Sequence, residues 1–314
     1  MKNKIKYFKK FIFFFIFILI FQKPSISLEN KIILKINNEI ITSFDLENEL
    51  NYLSALNPNL KKLDKKDITS YSKKSIIKEK IKKIEILNNF ENPKIPEEFL
   101  EKLLKNIYIT IGINNLKDFK KYLSENNVDY NTVLEKIETE ALWNELIVQK
   151  FSKKIKIDED SLRNILEKNI NKPSKSYLMS EIFFELKKKE KVEKKYQEIK
   201  KYILEEGFEN AALKYSISET SKIGGKLNWI NENSLNVKIK KKLHLKQINQ
   251  FTKPITVPGG FLILKINNIQ ETKSKKNIQK ELKKLIRETK NNQLNQFSIM
   301  YFNRIKVDME INEF

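Results

Sequence analysis

Two pairs of adjacent glycines are the sequence feature that most constrains the fold. Gly224-Gly225 and Gly259-Gly260 account for four of the six glycines in the 314-residue chain. Glycine adopts a positive φ, or allows a close approach of another backbone, without steric cost. Each pair is followed by an apolar run of strand-like composition, so the pairs predict two tight turns that lead into a compact sheet.

The chain before residue 171 is predicted to be mainly helical. Residues 31–42 are typical of two short strands about an Asn37-Asn38 turn, and a helix begins near Ser43 with Thr42 or Ser43 as its cap. The polar segment 57–70 is predicted to be a loop. Apolar residues at helical spacing then predict five helices, at about 71–90, 96–111, 116–124, 130–150 and 158–169.

The pattern changes after Pro173, which marks a predicted domain boundary. Strands are predicted at 177–186, 227–230 and 261–269, with helices at about 187–207, 208–216 and 237–245. This arrangement predicts an α+β unit of about 100 residues with a mostly antiparallel sheet. A further helix is predicted at 275–300 and a terminal strand at 305–311.

Residues 1–27 have the pattern of an export signal. Five lysines precede the apolar run from Phe11 to Phe21, and Ser25 and Ser27 occupy the small-residue positions of a cleavage site. The run has 11 residues, fewer than the roughly 20 that span a bilayer. A cleaved signal is therefore favoured, and an uncleaved membrane anchor is the alternative.

Charge and composition narrow the function classes. The formal net charge is +21, and removal of the signal leaves +15. Almost all of the positive charge is lysine, and no nucleic-acid-binding motif is visible, so we do not expect nucleic acid as a partner. The chain has no cysteine, which excludes disulfides, thiolate metal sites and a thiol nucleophile. His244, the single histidine, lies in a lysine-rich segment and is predicted to be a surface residue.

Four segments resemble the parvulin family of peptidyl-prolyl isomerases in order and spacing. They are EIFF from Glu181, GFENAALKYS from Gly207, GGKLNW from Gly224 and GFLILKI from Gly260. Three flanking segments resemble the SurA-type periplasmic chaperones: INNEIITSFDLENEL from Ile36, LWNELI from Leu142 and YFNRIKVDMEI from Tyr301.

This resemblance implies an α+β fold in which a helical chaperone domain is completed by a C-terminal helix and carries one inserted parvulin-like domain. The expected divisions are a signal peptide at 1–27, a helical chaperone domain at 28–171 and a parvulin-like domain at 172–272. Residues 273–314 are expected to form a helix and strand that pack on the chaperone domain. No cofactor and no metal are implied.

The resemblance also places the functional positions. The two family histidines align with Glu181 and Leu262, and the cysteine-or-aspartate position aligns with Ser218. Glu181 has the chemistry to accept a hydrogen bond from Ser218, whereas Leu262 neither donates nor accepts. The substrate pocket aligns with Leu227, Leu235 and Ile239, to which Phe261 is added. These apolar residues are also consistent with an ordinary core.

Three functions are therefore weighed. The first is a periplasmic chaperone that holds unfolded exported proteins, especially precursors of outer-membrane β-barrels, with an isomerase domain of weak or lost activity. The second is an active prolyl isomerase acting on periplasmic proteins, which the fold favours and the missing histidines disfavour. The third is a foldase that keeps its N-terminal helix as a membrane anchor. Oligomeric state is left open.

Overall fold

The computed structural model describes residues 30–169, 174–272 and 278–314. Within these ranges the protein is a mixed α+β structure that is mostly helical, with antiparallel sheets, as the sequence predicted. The described residues from Ile32 to Phe314 form one compact unit. The predicted export signal and its alternative, a membrane anchor, lie outside the described residues.

The N-terminal hairpin is confirmed. Strand β1 (Ile32–Ile36) pairs antiparallel with β2 (Glu39–Thr42), and Asn37 between them has a φ of 51°. Asparagine tolerates this left-handed conformation better than most residues. On its other side β1 pairs with β7 (Ile311–Glu313), the last strand of the chain. The predicted terminal strand was therefore placed too early, because the preceding helix continues to Val307.

Six helices follow the hairpin: α1 (Ser43–Leu56), α2 (Lys65–Asn89), α3 (Glu97–Thr110), α4 (Leu116–Glu125), α5 (Tyr130–Phe151) and α6 (Glu159–Asn169). Thr42 caps α1 as predicted, through a capping box in which its hydroxyl accepts from the Asp45 N–H. The predicted loop at 57–70 is wrong. A short 3₁₀ helix (Pro58–Lys62) lies there, and α2 begins at Lys65 because the Asp64 side chain accepts the Asp67 N–H at 2.7 Å.

The long C-terminal helix α10 (Ile278–Val307) packs on this helical region. The Trp143 indole N–H donates to the Ser298 hydroxyl at 2.8 Å, and its ring stacks on Tyr301 with centroids 5.8 Å apart. Trp143 and Tyr301 belong to a buried cluster shared by β1, β2, α2, α5 and α10. The N-terminal helices and the C-terminal helix therefore share one core.

Residues 174–272 contain a four-stranded antiparallel sheet in the order β4-β3-β6-β5. Its members are β3 (Ser174–Phe184), β4 (Lys226–Asn231), β5 (Ile255–Val257) and β6 (Gly260–Thr272); β5 was missed from the sequence because it has only three residues. Three helices accompany it: α7 (Val192–Glu206), α8 (Phe208–Tyr215) and α9 (Val237–His244).

The two faces of this sheet have different partners. Ile182 and Phe184 of β3 pack with α7 and α8 on one face. Tyr177 and Met179 point to the other face, where Leu243 of α9 is buried with them. This alternation follows from the two-residue period of a strand. The divisions at 171/172 and 272/273 involve residues that the structure does not describe, and they stay predictions.

Both glycine pairs form turns, as the sequence predicted. Gly224 and Gly225 have φ values of 69° and 75° and precede β4, while Gly259 has a φ of 84° and precedes β6. At Gly225 an added Cβ would lie 2.2 Å from the Glu181 carbonyl oxygen, so this backbone approach requires glycine.

Replacing Gly225 with alanine should therefore lower the free energy of unfolding by at least about 3 kcal/mol, from both the positive φ and the clash. Gly259→Ala is the matched control, because it shares the positive φ but its Cβ would come no closer than 3.5 Å to Met300. We expect it to lose about 1–2 kcal/mol. Urea unfolding of both variants measures the difference, and equal losses would contradict the role given to Gly225.

Candidate functional site

A cavity of about 780 Å³ opens beside the sheet face that carries Met179. Strands β3, β4 and β6 line one side of it, and helices α2 and α10 line the other. The volume lies in the range of ligand-binding pockets, about 300–1,000 Å³. Every sequence-predicted site residue except Phe261 borders this cavity.

The polar part of the cavity is built around Glu181 of β3. The predicted hydrogen bond is present, with the Ser218 hydroxyl donating to Glu181 Oε1 at 2.7 Å. The Thr220 hydroxyl donates to the same oxygen at 2.9 Å. Ser218 is held in place as the N-cap of a 3₁₀ helix (Glu219–Ile223), and Gly225 fixes the end of that turn by accepting the Glu181 N–H at 2.8 Å.

The sequence reasoning missed Thr220. Its position was the available signal, because Thr220 carries a second hydroxyl donor only two residues after Ser218. The resulting group consists of one carboxyl and two hydroxyls, and both hydroxyls are directed at the carboxyl. Neither is left to donate elsewhere while this arrangement holds.

Leu262 borders the same cavity from β6, opposite Phe183 of β3 in the sheet register. It supplies apolar surface at the position where the resemblance to the parvulin family predicts a second histidine. The only histidine, His244, lies on α9 instead, with Nε2 3.2 Å from a Glu232 carboxylate oxygen. The cavity is therefore lined without any imidazole.

Burial raises the pKa of the Glu181 carboxyl, although hydrogen bonds from Ser218 and Thr220 partly oppose the rise. A folded-state pKa above the unfolded value means that the native protein binds the proton of Glu181 more tightly than the unfolded chain does. The stability that this provides is complete below the ordinary glutamate pKa of about 4.3, and it is lost as the pH rises through the folded-state pKa.

Glu181→Gln should therefore become more stable relative to the wild type as the pH rises from about 4 to 8, because glutamine keeps an acceptor oxygen but carries no charge. Urea unfolding at several pH values across this range measures the difference. Glu125→Gln, at an exposed position on α4, is the control and should show no such trend. A relative loss of stability in Glu181→Gln on going to pH 8 would contradict the assignment.

The apolar part of the cavity contains three of the four predicted substrate-binding residues. Leu227, Leu235 and Ile239 border it and pack with Leu262 over the buried cluster of this sheet face. Ile230 and Val257 belong to the same lining and were not predicted. Val257 was missed because it lies on β5.

The placement of Phe261 is a correction. Its ring lies on the opposite face of the sheet, stacked on Phe184 with centroids 5.6 Å apart, within the cluster under α7 and α8. Adjacent residues of a strand point to opposite faces. Since Leu262 faces the cavity, Phe261 cannot, and it packs, half-buried, against the core on the opposite face.

A cluster of charged side chains joins the site to the helical region. The Lys82 side chain on α2 is only 1% exposed, and its ammonium lies 2.7 Å from a Glu140 carboxylate oxygen of α5 and 2.6 Å from one of Glu219. Lys78 is 2.6 Å from the same Glu219 oxygen, and Lys222 is 3.0 Å from Glu140. Glu219 and Lys222 belong to the turn that carries Ser218 and Thr220.

The carboxylates of this cluster are partly exposed, with 32% of the Glu140 side chain and 43% of Glu219 accessible. Their partial burial disfavours the negative charge. The ammonium groups of Lys222, Lys78 and Lys82 nevertheless hold the pKa of Glu219 well below its usual range. In turn, Glu140 and Glu219 raise the pKa of Lys222 against the effect of burial. The ion pairs therefore compensate the buried ammonium of Lys82.

Removing both carboxylates should leave that ammonium without a counter-charge. We expect Glu140→Gln with Glu219→Gln to cost about 3–5 kcal/mol of unfolding free energy. Adding Lys82→Met to this double variant should restore part of the loss, because the most deeply buried ammonium is then gone, whereas the half-buried Lys78 and Lys222 still lack their carboxylate partners. Glu39→Gln is the control. It breaks a more exposed ion pair with Lys80, which lies on α2 as Lys82 does, and it should cost less than about 1 kcal/mol.

Urea unfolding of the wild type and these three variants tests this expectation. A triple variant less stable than the double variant would contradict it, since Lys82 would then contribute mainly through packing.

Residues 177–268 match the Rotamase family model, described as a PPIC-type PPIase domain. The chain is 29% identical over 257 residues to the periplasmic chaperone PpiD of Buchnera aphidicola, which covers 76% of this chain and 38% of PpiD. It is 23% identical over 185 residues to the chaperone SurA of Pseudomonas putida, covering 55% of this chain and 42% of SurA. The matches thus span about two fifths of these curated relatives.

Solved structures similar to this chain include a SurA-like chaperone of Campylobacter jejuni, at 15% identity and a TM-score of 0.36, covering 91% of this chain and 99% of the other. The peptidylprolyl isomerase PrsA of Bacillus cereus gives 18% identity and a TM-score of 0.29, covering 87% of this chain and 89% of PrsA.

Proposed function

We propose that this chain is a chaperone of exported proteins whose isomerase activity is weak or lost. The chain is similar to SurA-like chaperones and carries a PPIC-type domain at residues 177–268. Its proposed clients are unfolded exported proteins, especially precursors of outer-membrane β-barrels. The cavity is the observation that carries the proposal. Its apolar lining adjoins Glu181, Ser218 and Thr220, which hydrogen-bond to one another, and its lining contains no histidine.

Prolyl isomerisation needs more than an apolar pocket. The barrier to rotation about a peptide bond is about 18–20 kcal/mol. An enzyme lowers it with a dry pocket for the proline ring and polar groups that favour the twisted amide over the planar one. Leu227, Ile239 and Leu262 suit the first requirement. For the second, the hydroxyls of Ser218 and Thr220 are both committed to Glu181.

Holding an unfolded chain needs no catalytic group. Strands of outer-membrane barrels alternate apolar and polar residues, and an apolar cavity lining suits every second side chain of such a strand. The surplus of lysine over acidic residues adds attraction for acidic segments. These features support the chaperone role over an enzymatic one.

An active isomerase is the second candidate. It is favoured by the match to the PPIC-type domain and by the nearness of Glu181, Ser218 and Thr220 to the apolar lining. In this reading a client carbonyl or amide would displace one hydroxyl from Glu181.

A protease-coupled assay with a proline-containing tetrapeptide separates the two candidates. We expect the full chain to catalyse isomerisation at least about 10²-fold less efficiently than an active parvulin domain measured alongside, because removal of one stabilising donor alone costs about that much. Turnover comparable to the active domain would overturn the proposed loss of activity.

An aggregation assay tests the chaperone role. The full chain should suppress light scattering by an unfolded outer-membrane barrel protein, and Leu227→Asn with Ile239→Asn should reduce this suppression severalfold, because it makes the cavity lining polar. Leu204→Asn, at a 71% exposed position on α7, is the control and should leave suppression unchanged. No suppression by the wild type would contradict the proposal.

We also propose that residues 1–27 direct the export of the chain to the periplasm and are removed by cleavage. The pattern of these residues supports this, as does similarity to a protein named a periplasmic chaperone. Within the described ranges, no helix combines the length and the apolar character needed to cross a bilayer. N-terminal sequencing of the protein from cells should give a start near residue 28; an intact N-terminus would favour the membrane-anchor alternative.

A further inference from the structure

Helix α10 presents a polar stripe to the cavity. Its members recur at spacings of three and four residues, which places them on one side of a helix; they are Thr289, Asn292, Gln296, Ile299 and Asn303, and all border the cavity. The buried side of the same helix carries Leu282, Leu285 and Ile305 instead. The helix thus faces the core with apolar residues and the cavity with mostly uncharged polar ones.

Most of this stripe has unused hydrogen-bonding capacity. Asn303 donates to Glu185. In the described part of the chain, the side chains of Thr289, Asn292 and Gln296 make no hydrogen bond to another protein group. An amide side chain offers two donors and an acceptor with two lone pairs. Asn292 and Gln296 therefore bring both kinds of group to the cavity.

A neighbouring amide on α10 displays what such a group does with a backbone segment outside helices and strands. Gln293 Oε1 accepts the Lys156 N–H at 3.1 Å, and Gln293 Nε2 donates to the Lys156 carbonyl at 2.8 Å. One side-chain amide thus satisfies both backbone groups of a single residue, as a neighbouring strand would. Asn292 and Gln296 have the same chemistry and face the cavity rather than the chain's own backbone.

The opposite side of the cavity is apolar, with Leu227, Ile239 and Leu262 among its residues. An extended polypeptide sends alternate side chains to opposite sides and carries N–H and C=O groups along its length. These groups need partners when they leave water, because an unsatisfied buried group costs about 1–3 kcal/mol. The cavity therefore matches an extended chain on both counts, whereas a helical segment already satisfies its own backbone.

We propose that the cavity holds one extended segment of a client polypeptide, with alternate apolar side chains against the sheet and its backbone hydrogen-bonded by Asn292 and Gln296 of α10. This inference rests on the proposed chaperone function and specifies its ligand. Recognition through the backbone reads extended conformation rather than sequence, so the cavity accepts many clients that share an alternating pattern.

A peptide pair tests the backbone contacts. The probe is a fluorescein-labelled nine-residue peptide of alternating leucine and serine, and its partner carries amide-to-ester replacements at the three central positions. The ester removes the N–H donors while keeping the side chains and nearly the same shape. Binding to the full chain is followed by fluorescence anisotropy.

We expect the esters to weaken binding to the wild type by about tenfold, the loss of two ordinary hydrogen bonds. In Asn292→Ala with Gln296→Ala the same replacements should cost less than about twofold, because the partners of the N–H groups are gone. Asn291→Ala with Gln279→Ala removes the same residue types from exposed positions outside the cavity lining. This control should behave as the wild type does.

Two results would overturn the inference, and they are distinguishable. Equal ester effects in the wild type and in Asn292→Ala with Gln296→Ala would show that α10 does not bind the peptide backbone. Because the all-amide peptide would still bind the protein, the proposed chaperone function would stand. Failure of the wild type to bind the all-amide peptide at all would remove both the inference and its premise.

Discussion

The buried ammonium of Lys82 is the interaction on which the arrangement of the site depends. Its two carboxylates come from different parts of the chain, Glu140 from α5 and Glu219 from the turn beside the sheet. A lone buried charge is strongly unfavourable, so the ammonium requires both carboxylates to stay near it. The turn that carries Ser218 and Thr220 is thereby held against the helical region.

Further contacts extend this attachment. The Asp67 carboxylate of α2 accepts from the Tyr202 hydroxyl at 2.9 Å and from the Lys214 ammonium at 2.6 Å. Leu213 of α8 is buried in the core cluster of the N-terminal helices. These contacts fix the sheet unit, residues 174–272, against the helical region. The cavity therefore has the sheet on one side and α10 on the other, which lets a single bound segment contact both.

Much of the fold was predictable because it follows from local periodicity. Helices α3 to α6 lie within a residue or two of their predicted limits, and the glycine pairs marked the turns before β4 and β6. The errors had local causes as well: the Asp64 cap lay in a segment judged polar and irregular, and β5 has too few residues to show a period. Phe261 was misplaced although strand alternation with Leu262 excluded it from the cavity.

The site itself was only partly predictable. The Glu181–Ser218 hydrogen bond followed from the aligned family positions. The pairing of Lys82 with Glu219 joins residues 137 apart in sequence, and a chain so rich in lysine gives no sign of which lysine is buried. The polar stripe of α10 acquires meaning only when the helix is placed opposite the apolar lining, which requires tertiary structure.

The most direct test of the central claim is a distance across the attachment. Because the chain has no cysteine, Lys117→Cys on α4 and Lys194→Cys on α7 can carry spin labels without further changes. Pulsed electron paramagnetic resonance should give one narrow distance distribution, since the sheet unit is held on the helical region by the Lys82 cluster. A broad or multiple distribution in the wild type would show that the two regions move independently, and would contradict a cavity bounded by both.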